Sequence, residues 1–144
     1  MSYELKNSIG FKINQSANKI NNKFNNVLQK YKIAPEQRAT LEIIKFEKDV
    51  NQTKIADILA KDKTTISRTL STLEKKGLIQ KEAINKRTNL IKLTVLGEEI
   101  LEESQKSVQE FRKGLFSNLN KEEANKLVEL LKKVDMSVDK WKNQ

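Results

Sequence analysis

Residues 51–95 constrain the fold more than any other stretch of the chain. NQTKIADILAKDKTTISRTLSTLEKKGL carries two short helical patterns separated by a tight break, and it runs straight into IQKEAINKRTNLIKLTV, two strand-like runs around a basic loop. Asn51 is placed to cap a helix bearing Ile55, Ala56, Ile58 and Leu59; Ala60 and Lys61 form the turn, and Asp62 caps the second helix. In that second helix Ile66, Leu70 and Leu73 recur at helical spacing and pack inward, which leaves Thr64, Arg68, Ser71, Thr72 and Lys75 on the opposite face. The outer face offers hydroxyls and cations and no acid, whereas a helix that is merely solvated mixes both signs. Gly77, following Lys75 and Lys76, fits a left-handed C-terminal cap, with Leu78 as the accompanying hydrophobic contact. Residues 79–84 and 90–95 read as strands, clearly alternating only in the second (Ile91, Leu93, Val95), and 85–89 have loop composition. Helix, turn, helix and a two-stranded wing make a shape suited to duplex DNA, whose phosphates and base edges accept from such donors.

Charge follows the same stretch. Lys and Arg against Asp and Glu number nine against five over residues 1–50, ten against four over 51–95, and nine against ten over 96–144. The net charge of +9 is therefore concentrated around the helix-turn-helix and absent from the last third. A confined surplus is the footprint of a polyanion-binding surface; a generic solubilising charge would spread evenly.

Composition removes several function classes. The 144 residues contain no Cys and no His, so disulfides, thiolate metal sites and the usual general bases are excluded, and an enzyme, a cofactor or a bound metal is not expected. Four glycines form neither a GxGxxG nor a GxxxxGK loop. Apolar content of 37% against 33% charged residues is low for a globular chain of this length, so the core is expected to be completed by oligomerisation. No apolar run approaches the ~20 residues of a membrane span, and MSYELKNSIGFK lacks the hydrophobic core of a secretory signal, so a cytoplasmic location is expected.

Outside 51–95 the pattern is helical. Leu5, Ile9, Ile13, Ala17, Ile20, Phe24, Val27 or Leu28, and Tyr31 step by threes and fours, predicting one long unbroken helix. Seven asparagines crowd that segment with weak helix formers, so packing must hold it. Pro35 fits the first position of a helix through about Lys48. Thr94 is placed to cap a helix running to about Asn118, and Asn120 with Glu123 resembles a capping box. The final helix carries Ala124, Leu127, Val128, Leu131, Val134, Val138 and Trp141 at helical spacing to the end of the chain. Burying that stripe and the first helix's stripe requires packing within or between subunits.

Ile55-Ala56, Thr64-Thr65-Ile66-Ser67-Arg68, Leu73-Glu74-Lys75-Lys76-Gly77-Leu78-Ile79, Lys86-Arg87, Leu93-Thr94 and Gly97, in that order and spacing, resemble the winged-helix signature of the multiple-antibiotic-resistance-regulator (MarR) group of bacterial transcription factors. The similarity spans nearly the whole chain. It implies a dimer whose first, fifth and sixth helices form the interface, with one winged helix-turn-helix per subunit reading half of a pseudo-palindrome. Two departures stand out. Asn85 occupies the place where the family's wing usually has Asp, so a carboxylate partner for an arginine is missing and the wing is expected to be less preorganised. Ala34 replaces the usual cap before Pro35, a loss of ~1 kcal/mol. Without Cys and His, the peroxide-sensing and zinc-sensing modes of the family cannot be carried over.

The fold expected is mainly α with a small antiparallel β wing, a winged helix-turn-helix with long N- and C-terminal dimerisation helices. A single MarR-like domain is expected over 1–144: dimerisation helices over 1–34 and 95–144, and the DNA-binding lobe over 35–94. Its expected function is that of a sequence-specific regulator of transcription on double-stranded DNA: a homodimeric repressor, with release by a small-molecule effector carried over from the resemblance alone. The alternatives are a winged-helix architectural or initiator protein without effector, and a helical protein-interaction adaptor whose basic patch meets an acidic partner. Recognition-helix candidates are Lys63, Thr64, Thr65, Ser67, Arg68, Ser71, Thr72 and Lys75, with Arg68 reaching phosphate or a guanine edge and the hydroxyls contacting phosphate near the helix start. Their bland readings are a surface cation and capping groups. Wing candidates are Asn85, Lys86, Arg87 and Thr88, with Arg87 suited to the minor groove, against a solvated hairpin charge. Thr53 and Lys54 are weaker phosphate candidates. Leu5, Ile9, Ile13, Leu131, Val134, Val138 and Trp141 are expected in the dimer interface.

Overall fold

The computed structural model describes residues 4–142; the ends of the expected domain, 1–3 and 143–144, lie outside the described residues. In chain order it contains α1 (Glu4–Asn7), α2 (Ile9–Leu28), α3 (Pro35–Phe46), α4 (Gln52–Leu59), α5 (Lys63–Lys75), β1 (Ile79–Ala83), β2 (Asn89–Leu93), α6 (Val95–Gly114) and α7 (Lys121–Lys140). None of these helices is long and apolar enough to cross a membrane. The described chain divides after Ser107 into two compact units.

The first unit holds α1 to α5, the wing and the larger part of α6. The single helix expected over 5–31 is broken at Ser8, whose extended backbone and hydroxyl, accepting from Phe11 N at 3.4 Å, start a new helix. Apolar periodicity is continuous across that point because a cap changes the backbone and not the stripe. The same segment ends in a 3-10 turn, Gln29–Tyr31, closed by Lys32 at φ 59°. α3 stops at Phe46 rather than near Lys48, because the chain must leave the helix for Val50 to be buried and for its carbonyl to accept from Ile91 N at 2.8 Å. Ala34 has no side-chain acceptor, and the helix start keeps only the reciprocal half of a box, Ala34 N donating to Gln37 Oε1 at 3.1 Å.

Asn51 and Asp62 cap α4 and α5 as the sequence predicts, and Ala60 makes the turn in the left-handed region at φ 54°. After α5 the chain forms a full Schellman turn: Gly77 N donates to Glu74 O at 2.9 Å, Leu78 N to Leu73 O at 3.0 Å, and Gly77 sits at φ 77°. β1 and β2 pair antiparallel with Ile79 opposite Leu93 and Lys81 opposite Ile91. β1 ends at Ala83, and Val95 belongs to α6 rather than to a strand, because the Thr94 hydroxyl already accepts from Gly97 N at 3.1 Å. Leu28, Leu41, Ile55, Ile66 and Leu73 have no accessible surface and centre the core of this unit; each contributes on the order of 2 kcal/mol by leaving water.

Gly97 is where α6 meets the turn after α5. A Cβ there would overlap the Leu78 carbonyl oxygen, which is fixed by accepting from Thr94 N at 3.1 Å. Alanine gains ~1 kcal/mol of helix propensity, but the overlap with fixed backbone costs more. Gly97→Ala is expected to destabilise by ~1–3 kcal/mol net, read as a lower urea midpoint at constant slope. A midpoint equal to the parent's would mean that the turn yields.

The second unit contains the end of α6 and α7. α6 stops at Gly114, short of Asn118, and the turn that follows has Leu119 N donating to Phe116 O at 2.9 Å. Asn120 and Glu123 form the expected capping box, Glu123 N donating to Asn120 Oδ1 at 2.8 Å and Asn120 N to Glu123 Oε1 at 3.0 Å. α7 ends at Lys140, and Trp141, expected on the helical stripe, turns away into extended backbone at its C-terminal cap. No residue of α7 is buried.

Candidate nucleic-acid interface

The outer face of α5 is set by its inner face. With Ile66, Leu70 and Leu73 buried, helical geometry leaves Lys63, Thr64, Ser67, Arg68, Ser71, Thr72 and Lys75 exposed, and Thr65 half-buried. Asp62, the only acid at this end, is turned into the cap, Oδ1 accepting from Thr65 N at 2.7 Å. The Thr65 N–H and hydroxyl, and more distantly the Arg68 guanidinium, hold its carboxyl below the ordinary carboxylate value. A lowered folded-state value stabilises α5 at pH above the unfolded carboxylate range, and the effect is lost as pH falls through the folded value. Asp62→Asn is expected to leave the protein less stable than the parent at neutral pH and equal to it in acid. Parallel urea curves at the two pH values check this; an unchanged difference in acid would contradict it.

Two hydroxyls of α5 already have partners, one on the exposed face and one part-buried against α3. Thr72 Oγ1 donates to Arg68 O at 3.1 Å, and Thr69 Oγ1 donates to Glu36 Oε1 at 2.6 Å.

At the wing, Asn85, Lys86 and Arg87 are exposed and Thr88 is half-buried. The Asn85 side chain closes the tip by accepting from both Arg87 N and Thr88 N at 2.9 Å, and Ile84 N donates to Thr88 O at 2.9 Å. The expected loss of preorganisation at Asn85 is thus offset: an amide oxygen supplies the same acceptor as a carboxylate in such a turn, and only the charge is missing.

The fold brings the start of α4, the start of α5 and the wing together around one groove of about 320 Å³, lined by Asn51, Gln52, Thr53, Lys63, Lys81 and residues 87–89. Lys63, Arg87, Thr88 and Thr53 were expected in the interface; Asn51, Gln52, Lys81 and Asn89 were not. Lys81 carried a legible signal. Strand alternation puts it on the same face as buried Ile79, opposite buried Ile91, so a cation there stands at the edge of the core facing the helices. Its nearest acid is Glu74, at 3.9 Å. No acid lines the groove. Lys54 turns elsewhere, its ammonium donating to Lys48 O at 2.6 Å and lying 3.7 Å from Glu47. Among the described residues no group of three or more Asp and Glu stands where a metal ion could be held.

The dimer candidates fall on both units. In the single chain Leu5 (54%), Ile9 (69%), Val138 (67%) and Trp141 (70%) are strongly exposed and Leu131 less so, while Ile13 and Val134 are half-buried.

The sequence model described as the MarR family matches residues 33–88, the span from the start of α3 to the wing tip. The chain is similar to a MarR/EmrR family transcriptional regulator from Acinetobacter sp. ADP1, with 31% identity, 96% of this chain and 100% of that chain covered, and a TM-score of 0.89. It is also similar to MepR of S. aureus, solved as a DNA complex, with 26% identity, coverage of 90% and 98%, and a TM-score of 0.82. A mutant MarR from E. coli complexed with operator DNA matches at 28% identity, coverage of 92% and 99%, and a TM-score of 0.83. Identity of this level over the full length of the Acinetobacter protein, together with the capped helix-turn-helix and its paired wing, leads to one assignment: the chain belongs to the MarR family of winged-helix, DNA-binding transcriptional regulators.

Proposed function

We propose that this protein is a homodimeric repressor that occupies a pseudo-palindromic operator, one recognition helix and one wing per subunit, and leaves it when a small molecule binds. The observation that carries the DNA contact is the groove between the starts of α4 and α5 and the wing, whose lining holds three cations and no acid. Backbone N–H groups at helix starts and paired cations suit a phosphate of the DNA backbone. In this reading Lys63 and Lys81 hold that phosphate with Thr53, Arg68 reads a base edge in the major groove, Arg87 enters the minor groove, and Lys86 contacts phosphate. The exposed apolar residues of α2 and α7 support the dimer, since such stripes on a lone chain are a liability.

The effector reading draws on an open cleft of about 520 Å³ between α2 and the lobe, lined by Asn21, Asn22, Phe24, Asn25, Pro35, Glu36, Leu59 and Lys61 among others. A mixed apolar and polar lining at this volume is what small-molecule sites need. Cofactors and metal ions have no part in this mechanism. Selecting bound duplexes from a random DNA pool tests the proposal: a two-fold-related consensus is expected, and sequence-indifferent binding would leave an architectural protein instead. Binding of acidic protein without duplex selectivity would leave the adaptor.

A further inference from the structure

α3 carries a buried charge that neither folding nor DNA contact explains by itself. The Arg38 guanidinium is 1% exposed and each of its three nitrogens donates: Nε to Ser104 Oγ at 2.8 Å, Nη2 to Gln105 Oε1 at 2.7 Å and to Leu101 O at 3.3 Å, and Nη1 to Glu42 Oε1 at 2.8 Å. Three of these four bonds cross from α3 to α6. Ser104 is buried as well, and its hydroxyl donates onward to Ile100 O at 2.7 Å. A buried polar cluster of this kind is weak evidence for stability, because apolar residues of similar volume hold such a contact equally well; its rigid fork instead specifies one geometry.

The same turn of α3 is bonded on another side to the recognition helix. Glu36 Oε1 accepts from Thr69 Oγ1 at 2.6 Å, and Gln37 Oε1 accepts from Lys76 Nζ at 3.0 Å, just past the end of α5. Residues 36–38 therefore tie α5 on one side and α6 on the other. Apolar contacts slide; directional bonds to a planar guanidinium do not.

We propose that Arg38 is a positioning residue: by locking α3 onto α6 it fixes the angle at which each subunit presents α5, and so sets the spacing of the two half-sites that the dimer accepts. The inference rests on the dimeric reading above. Half-site spacing is the geometric readout of recognition-helix placement in a dimer.

The test uses duplexes with two half-sites whose separation is changed one base pair at a time, and single half-site duplexes as controls. The wild type should lose at least about tenfold in affinity per base pair of altered spacing. Arg38→Met, checked by circular dichroism and light scattering to be folded and dimeric, should keep its salt slope and single half-site affinity but lose less than about threefold per base pair. Ser104→Ala, which removes one of the three bonds from Arg38 to α6 and little volume, should fall between, and it decides the matter if Arg38→Met does not fold. Undiminished spacing discrimination in a folded Arg38→Met, or in Ser104→Ala when it must decide, overturns the proposal and leaves the dimer reading standing. A wild type indifferent to spacing, or bound as a monomer, overturns both.

Discussion

Arg68→Ala is expected to weaken operator binding by roughly 1–3 kcal/mol for each base edge that the guanidinium no longer reaches, counted in both subunits, and to flatten preference at one symmetric pair of operator positions. Arg68 sits mid-face on α5, exposed, with its carbonyl tied to the Thr72 hydroxyl and its helix anchored by three fully buried residues, so the substitution removes reach without moving the helix. Arg87→Ala should act differently. The wing tip is held through the backbone N–H of residue 87, which alanine keeps, so the loss is that of the guanidinium alone. It should be greatest at A·T-rich flanks, where a narrow minor groove attracts inserted arginine, and should leave the central consensus unchanged. Lys86→Ala should lower affinity on all sequences and reduce the salt slope by about 0.9 for each phosphate it no longer neutralises. Titrations of specific and scrambled duplexes at several salt concentrations separate the three. Unchanged affinity in both Arg68→Ala and Arg87→Ala would rule out this docking.

Deleting residues 130–144 should leave a protein that aggregates or unfolds rather than a monomer, because it removes Leu131, Val134 and Val138 from a helix with no fully buried residue in the single chain, and Trp141 just past its end. A soluble, folded monomer from that truncation would sink the dimer reading. A milder variant probes the same face without shortening α7. Val138→Glu changes a position 67% exposed in the lone chain, where surface substitutions stay within about ±0.5 kcal/mol. In a subunit interface the same carboxylate is buried without a partner, and dimerisation should weaken by more than ~2 kcal/mol per subunit. Light scattering across a dilution series measures the shift, and an unchanged dimer would remove Val138 from the interface.

Much of the helix-turn-helix and wing was legible without coordinates, because it is encoded at short range. Asn51 and Asp62 are side-chain acceptors that satisfy donors three residues away, Gly77 takes a backbone region that other residues enter at a cost, and Ile66, Leu70 and Leu73 define a face by period alone. Periodicity misleads at Ser8, Phe46 and Trp141. In each case the apolar spacing continues while the backbone departs, since side-chain spacing does not record where a hydrogen-bond ladder stops. Local chemistry at Asn85 was visible, but its consequence was not, because the acceptor acts on N–H groups whose positions depend on the folded hairpin. By itself, then, the sequence determined the capped helix-turn-helix, the wing, and a positive charge that is densest there and absent from the last third. Tertiary structure alone decided which cations share a groove, with Lys81 brought to Lys63 and Arg87, and which buried side chains bridge the lobe to α6, with Arg38 brought to Ser104 across 66 residues of chain. The physical reason is one of range: caps and periods act within a helical turn or two, whereas groove and bridge exist only after distant segments have been packed together.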